Sequence, residues 1–198
     1  MCSSDLVIWG SGGSGNGQFN LPHGVAADSQ GNVYVTDFLN HRVQKFDTWG
    51  TYLTQWGGPG AGNGQLASPL GVAVDGQGKV YVVDNGNFRV QKFDSGGAYL
   101  TKWGSEGAGN GQFGYVNGVS VDRQGNVYVT DIGYNRLQKF TAEGTFLAAW
   151  TGYKPGKGKF IHAFNVKASG DLLYVVDGGI LVFDLPKAQP FLDLLLLD

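Results

Sequence analysis

The sequence predicts an all-β molecule, a β-propeller of four-stranded antiparallel blades, on three observations. The first is a fixed period. Trp9, Trp56, Trp103 and Trp150 stand 47 residues apart, and the same step links Gly24, Gly71 and Gly118, then Tyr34, Tyr81 and Tyr128, then Phe46, Phe93 and Phe140. The second is that each copy divides into four short runs rich in Val, Tyr, Phe and Thr, separated by turn-forming residues. The third is that both alternating faces of the second run, Val33/Val35 and Tyr34/Thr36, are apolar or amphipathic. A sheet covered on both sides needs that pattern, and a half-exposed sheet does not. Four-stranded repeats of this length, unable to bury two faces alone, stack radially into a propeller.

Residues 1–6 (MCSSDL) match nothing later in the chain, resemble a translated sequencing adapter and read as a non-native leader. Residues 6–9 align with 53–56 and read as the outer strand of a preceding blade. One domain is expected over 7–195, with blades at about 10–56, 57–103, 104–150 and 151–195 and a tail at 196–198. In the first blade the expected strands are 24–28, 32–37, 42–46 and 51–56. Asp28 with Gly31 makes the first turn and Gly50 the third, since a tight hairpin needs a residue tolerant of positive φ. The second and third copies follow without a gap. In the fourth, Asn165 stands at the Gly24 position, Tyr174 and Asp177 come one residue early, and residues 40–42 have no counterpart. Residues 190–195 read there as a ragged outer strand. No ten-residue stretch has a helical period.

Composition narrows the function. Of 198 residues 34 are glycine, only 15% are charged, and the net charge is −2. With 42% apolar residues the chain can bury a core, so compositional disorder is excluded, and the lack of a three-residue glycine period excludes collagen. The charge balance argues against a strongly cationic nucleic-acid or membrane-surface binder. A single cysteine, Cys2, rules out an intramolecular disulfide framework and a cysteine zinc site and is compatible with any compartment. No apolar run approaches the roughly 20 residues that span a bilayer.

The segment 22–57, PHGVAADSQGNVYVTDFLNHRVQKFDTWGTYLTQWG, resembles an NHL repeat, including the Asn40-His41 pair in NHRVQKFD; the next copies read NFRVQKFD and YNRLQKFT. The resemblance covers about residues 6–183. It implies blades of a ring usually numbering six, so four copies read as an arc of such a ring, with a closed four-bladed ring as the alternative. An open arc implies self-association through exposed blade faces. The resemblance is compatible with a protein-binding module, an RNA-binding domain or the catalytic domain of peptidylglycine amidating lyase.

Antiparallel topology sorts the loops onto two faces. One gathers residues 10–21, His23, 38–41 and their equivalents; the other gathers the turns at Gly31 and Gly50. The second set is nearly constant (SQGN, GQGK, RQGN) and the first varies (FLNH, NGNF, IGYN). Constant positions serve the scaffold, and varied ones are free to serve a site. The binding-face candidates are therefore His23, Leu70, Asn117 and Phe164 beside the axis, with Phe38, Asn40, His41, Asn87, Phe88, Tyr134 and Asn135 in the loops. Substituting Asn117 or Phe38 by Ala is expected to weaken binding at unchanged melting temperature. Asp37 with Arg42, Asp84 with Arg89 and Asp131 with Arg136 recur in each blade and read as loop-holding pairs, since a catalytic device is expected once.

Gly10, Gly12 and Gly15 match G-x-G-x-x-G, but a strand follows where the dinucleotide motif needs a helix. His23 matches a position at which the amidating lyase carries zinc ligands. Its equivalents are Leu70, Asn117 and Phe164, and a catalytic zinc takes about three protein ligands. No metal site and no cofactor are expected, with His23 as the lone candidate ligand. RNA binding needs a basic rim with stacking aromatics. Aromatics are present (Phe38, Phe88, Tyr115, Tyr134, Phe164), but the one lysine cluster is Lys154, Lys157 and Lys159, read as a solvated loop. The function expected is a non-catalytic scaffold for a protein or small-molecule partner. The alternatives are a metal-assisted lyase or hydrolase with an axial metal, and single-stranded RNA binding.

Overall fold

The computed structural model describes residues 8–151 and 162–185. It opens on a self-paired loop, β1 (Ser11–Gly12) running parallel to β2 (Gln18–Phe19). The same bend recurs before the next two blades as single bridges, Pro59 to Leu66 and Glu106 to Phe113. Blade 1 is β3 (Pro22–Ala27), β4 (Val33–Asp37), β5 (Arg42–Phe46) and β6 (Tyr52–Gly57). Blade 2 is β7 (Pro69–Val74), β8 (Val80–Asp84), β9 (Arg89–Phe93) and β10 (Tyr99–Trp103). Blade 3 is β11 (Val116–Val121), β12 (Val127–Asp131), β13 (Arg136–Phe140) and β14 (Phe146–Trp150). Blade 4 is β15 (Asn165–Ser169), β16 (Leu172–Val176) and β17 (Ile180–Asp184). All pairing within the blades is antiparallel between successive strands.

The expected strands shift by one or two residues at their ends, with the inner strand beginning at Pro22 rather than Gly24. Of the expected outer strand of a preceding blade, residues 6 and 7 lie outside the described residues; Ile8 and Trp9 are in no strand, and Trp9 packs against Gly50 and Phe46 as Trp56 packs against Gly97 and Phe93. The expected outer strand at 190–195 lies outside the described residues. Short 3-10 turns at Asn85–Asn87 and Ile132–Tyr134 are the helical content among the described residues.

Turn chemistry recurs with the blade. Asp28 accepts from the backbone N–H groups of Gln30 and Asn32, both at 2.9 Å, and Gly31 takes φ +84°. The third turn has a second purpose. A Cβ at Gly97 would stand 2.6 Å from the Trp56 ring, because Trp9, Trp56 and Trp103 pack closely against the third-turn glycines Gly50, Gly97 and Gly144 of the blades that follow them. The 47-residue tryptophan period is thus the period of blade-to-blade contact.

The inner strands carry a bulge, with register shifts between Pro22 and Val25, Pro69 and Val72, and Val116 and Val119. Here the glycine permits close approach: a Cβ on Gly71 would stand 2.6 Å from the Asn117 carbonyl oxygen of the next inner strand. Blade 4, with Asn165 in that slot, pairs in unbroken register.

Apolar side chains fill the gaps between blades. Tyr34 and Val43 meet Leu66, Val72, Val80, Val82 and Phe93 between blades 1 and 2. Tyr81, Val83 and Val90 meet Phe113, Val119, Val127 and Phe140 between blades 2 and 3. Tyr128 and Leu137 meet Val166, Leu173 and Val175 between blades 3 and 4.

Candidate functional site

Pairing of Pro22 with Asp37, Pro69 with Asp84 and Val116 with Asp131 sets the start of each inner strand beside the end of the second strand. The inter-blade loops and the loops at 38–41, 85–88 and 132–135 therefore share one face, the loop face. An ion pair fixes them. The Arg42 Nε donates to the Asp37 carboxylate at 2.8 Å, and its two terminal nitrogens donate to the carbonyls of Ser14, Gly15 and Gln18. Arg89 does the same to Ala61, Gly62 and Gln65, and Arg136 to Ala108, Gly107 and Gln112. The carboxylates of Asp37, Asp84 and Asp131 are fully buried. Each pair ties an inter-blade loop to its blade.

The candidate residues divide into those that hold the face together and those that it presents. Asn40 donates to Asp37 and to the Gly13 carbonyl, and Asn87 donates to Asp84 and to the Gly60 carbonyl. His41, Phe88 and Asn135 adopt φ of +54°, +53° and +48°, the left-handed residue that launches each third strand. The His41 Nδ1 also accepts from the Ser68 N–H at 3.0 Å. Phe38 and Phe88 are half-buried against the cluster between blades 2 and 3.

Leu70 was expected on the binding face and is instead 1% exposed, a core residue between blades 2 and 3. Asn117 is 2% exposed and donates from Nδ2 to the Phe164 carbonyl at 2.6 Å, bridging blades 3 and 4. Its replacement by Ala at unchanged melting temperature, the sequence expectation, is therefore corrected: a buried inter-blade hydrogen bond goes with it. Both residues sit in the bulge slot, which lies between adjacent inner strands.

His23, Phe164 and Tyr134 are exposed, the last with the Arg136 guanidinium 5.1 Å from its ring centroid. Around them the face also presents Leu21, Leu39 and Tyr115. Sequence reasoning did not single out Leu21 and Leu39; their signal was an apolar residue inside an otherwise polar Gly/Asn loop. His23 and Asn117 also line the central channel, about 350 Å³, with Ser120, Asn165, Lys167 and Tyr174.

Charge separates the two faces. The loop-face segments 10–23, 38–41, 57–70, 85–88, 104–117, 132–135 and 162–164 contain one carboxylate, Glu106, and no lysine or arginine. The opposite turns carry Asp28, Asp47, Asp75, Lys79, Asp94, Asp122, Arg123, Glu143 and Asp171. Lys45, Lys92 and Lys139 lie over the rings of Tyr34, Tyr81 and Tyr128 at 5.1–5.4 Å. Lys154, Lys157 and Lys159 lie outside the described residues. Desolvation by its neighbours holds the His23 imidazole below its ordinary pKa, favouring the neutral ring. Among the described residues no three His, Cys, Asp or Glu side chains gather as a metal-holding set, and no helix is long and apolar enough to cross a membrane.

Residues 19–46 and 66–93 each match the family model of the NHL repeat, so the chain carries NHL repeats. A 44-residue stretch is 46% identical to human NHL repeat-containing protein 3, covering 21% of this chain and 13% of that protein. In structure the chain is similar to a streptogramin B lyase, with a TM-score of 0.61 and 18% identity over 83% of this chain and 55% of the lyase. It is also similar to a chain of a nidogen/laminin complex, with a TM-score of 0.55 and 20% identity over 83% of this chain and 76% of that one. At such identities the likeness is one of fold. The chain spans about half the length of the lyase it resembles.

Proposed function

We propose that this chain, an array of NHL repeats on a propeller fold, is a non-catalytic recognition module whose partner engages the loop face. The observation that carries the reading is the composition of that face. It is free of exposed cations among the described residues and presents Leu21, Leu39, Tyr115, Tyr134 and Phe164 to solvent. Rigid aromatic and aliphatic groups on a face depleted of charge suit the core of a protein contact or an uncharged small ligand. Nucleic acid needs cations to neutralise phosphates, and among the described residues this face offers none, Lys154, Lys157 and Lys159 lying outside them. The fold alone does not decide, since a lyase and a chain of a nidogen/laminin complex share it.

The competing reading is an enzyme with an axial metal. It draws on the lyase likeness and on His23, the one imidazole lining the channel. A photo-crosslinking amino acid at Tyr115, compared with one at Gln77 on the opposite face, tests the proposal in native extract. A discrete crosslinked partner is expected from position 115 alone. It should be lost with Phe164→Ala or Tyr134→Ala while the melting temperature moves by no more than about 2 °C. Equal crosslinking from both faces overturns the face assignment. A stoichiometric metal in the purified chain overturns the non-catalytic reading.

A further inference from the structure

The inter-blade loops before blades 1, 2 and 3 each carry an Asn-Gly step: Asn16-Gly17, Asn63-Gly64 and Asn110-Gly111. All three asparagines are exposed. An Asn-Gly step is open to intramolecular deamidation, because no Cβ on the glycine obstructs its nitrogen as it approaches the asparagine Cγ. Yet in every copy that nitrogen is engaged. The Gly17 N–H donates to the Gln44 Oε1 at 2.9 Å, the Gly64 N–H to the Gln91 Oε1 at 3.0 Å and the Gly111 N–H to the Gln138 Oε1 at 2.9 Å.

The three glutamines are fully buried. Their Nε2 atoms donate to the carbonyls of Gln18, Gln65 and Gln112 at 2.6–2.8 Å, which turns the oxygen end of each carboxamide toward the glycine. This arrangement opposes deamidation twice. The glycine nitrogen attacks only after giving up its proton, and a carboxamide oxygen is too weak a base to take it. A nitrogen stripped of that proton would also face the negative end of a buried dipole, where screening is poor.

We propose that Asn16, Asn63 and Asn110 are deamidation sites held silent in the folded chain by Gln44, Gln91 and Gln138. When the second loop opens, the Gly64 nitrogen bonds to the Asn63 Cγ and the Cγ–Nδ2 bond breaks. The nitrogen's proton passes through solvent to the departing ammonia, and water opens the cyclic imide to aspartate or isoaspartate. Either product places a carboxylate on a face whose described loop segments otherwise carry Glu106 alone. Isoaspartate also adds a methylene to the backbone between Gly62 and Gln65, whose carbonyls hold Arg89.

Peptide mapping of the full chain, aged in mildly alkaline buffer with and without urea, reads the three sites in one molecule. Asn63 should deamidate at least about tenfold more slowly in the folded chain than in urea. Gln91→Met should speed Asn63 about three- to tenfold, the factor one hydrogen bond is worth, and leave Asn16 and Asn110 within about twofold. Gln65→Ala removes the Oε1 that accepts from the Gly62 N–H at 2.9 Å, loosening the same loop without freeing the Gly64 proton. It should leave Asn63 within about twofold of the unsubstituted chain. If Gln91→Met also speeds Asn16 and Asn110, the chain has opened as a whole. Gln91→Asn, one methylene too short to reach, then takes its place with the same expected ranking. Equal rates at Asn63 in the folded and unfolded chain overturn the proposal. So does equal acceleration by the Gln91 and Gln65 substitutions, or acceleration by neither.

Discussion

Asp84 is fully buried, and its carboxylate accepts from the Ala67 N–H at 2.7 Å, from Asn87 at 2.9 Å, from Arg89 at 2.6 Å and from Gln91 at 3.0 Å. A charge so enclosed is tolerated because every lone pair is spoken for. Asp84→Ala leaves the Arg89 guanidinium buried without its counter-charge, and chemical denaturation should show a loss of about 3–5 kcal/mol. Asp84→Leu combined with Arg89→Met should cost less than the two single losses added together, because the residues act as a unit. Leu21 is a different case: 63% exposed, it is held at φ +55°, a conformation that costs an L-residue with a Cβ about 1 kcal/mol. Leu21→Asn should raise stability by up to about that amount, and a lowered melting temperature would contradict the argument. His23 brings a pH dependence. Its pKa is lowered in the folded chain, so the unfolded chain binds the proton first as the medium is acidified. Stability is full above the ordinary imidazole pKa and declines as pH falls through the folded value. His23→Gln should reduce the drop in melting temperature between about pH 7 and pH 5.

Each blade is held to the next partly by backbone approach at the bulge. Thr36 accepts from the Gly24 N–H at 2.7 Å and donates to the Leu70 carbonyl at 2.6 Å; Thr130 links the Gly118 N–H to the Phe164 carbonyl in the same way. Blade 2 has Val83 in that position, fully buried and unable to bridge. A buried Val→Thr exchange is ordinarily unfavourable because it strands a hydroxyl. Val83→Thr has two backbone groups waiting by the geometry of blades 1 and 3. It should be neutral or stabilising by about 1 kcal/mol in urea unfolding, and a loss of 1 kcal/mol or more would show that blade 2 is built differently. The repeat also explains what the sequence disclosed. Turn residues such as Asp28 and Gly31, and strands such as Arg42–Phe46, follow from local chemistry and were legible. Leu70 and Asn117 were misjudged because the bulge places their slot between two inner strands, a relation between residues 47 apart that no local pattern carries. The loop-face set was legible as variation among copies. Only the structure separates Asn40 and Asn87, which hold the loops, from Tyr134 and Phe164, which face outward.

The four blades leave two unlike ends. Val25 is 70% exposed, whereas its equivalents Val72 and Val119, covered by the preceding blade, are 7% and 6% exposed. At the other end Val176, Ile180 and Val182 are 44%, 71% and 54% exposed, on the side of blade 4 that a following blade would cover. Inside the molecule every junction joins the tyrosine side of one blade to the valine side of the next, a contact between different surfaces. If copies of the chain associate through these ends, the same rule makes the contact head-to-tail, Val25 of one copy against Val182 of another. Sedimentation velocity should then show a mass that rises with concentration for the unmodified chain. Val25→Asp and Ile180→Asp should each be monomeric alone, since each lacks one of the two required ends. Mixed, they still offer one good end apiece and should stop at a dimer, because the second contact would need both damaged ends. Pairing of like ends predicts instead that Ile180→Asp alone still dimerises through Val25, and a chain monomeric at every concentration would remove self-association altogether.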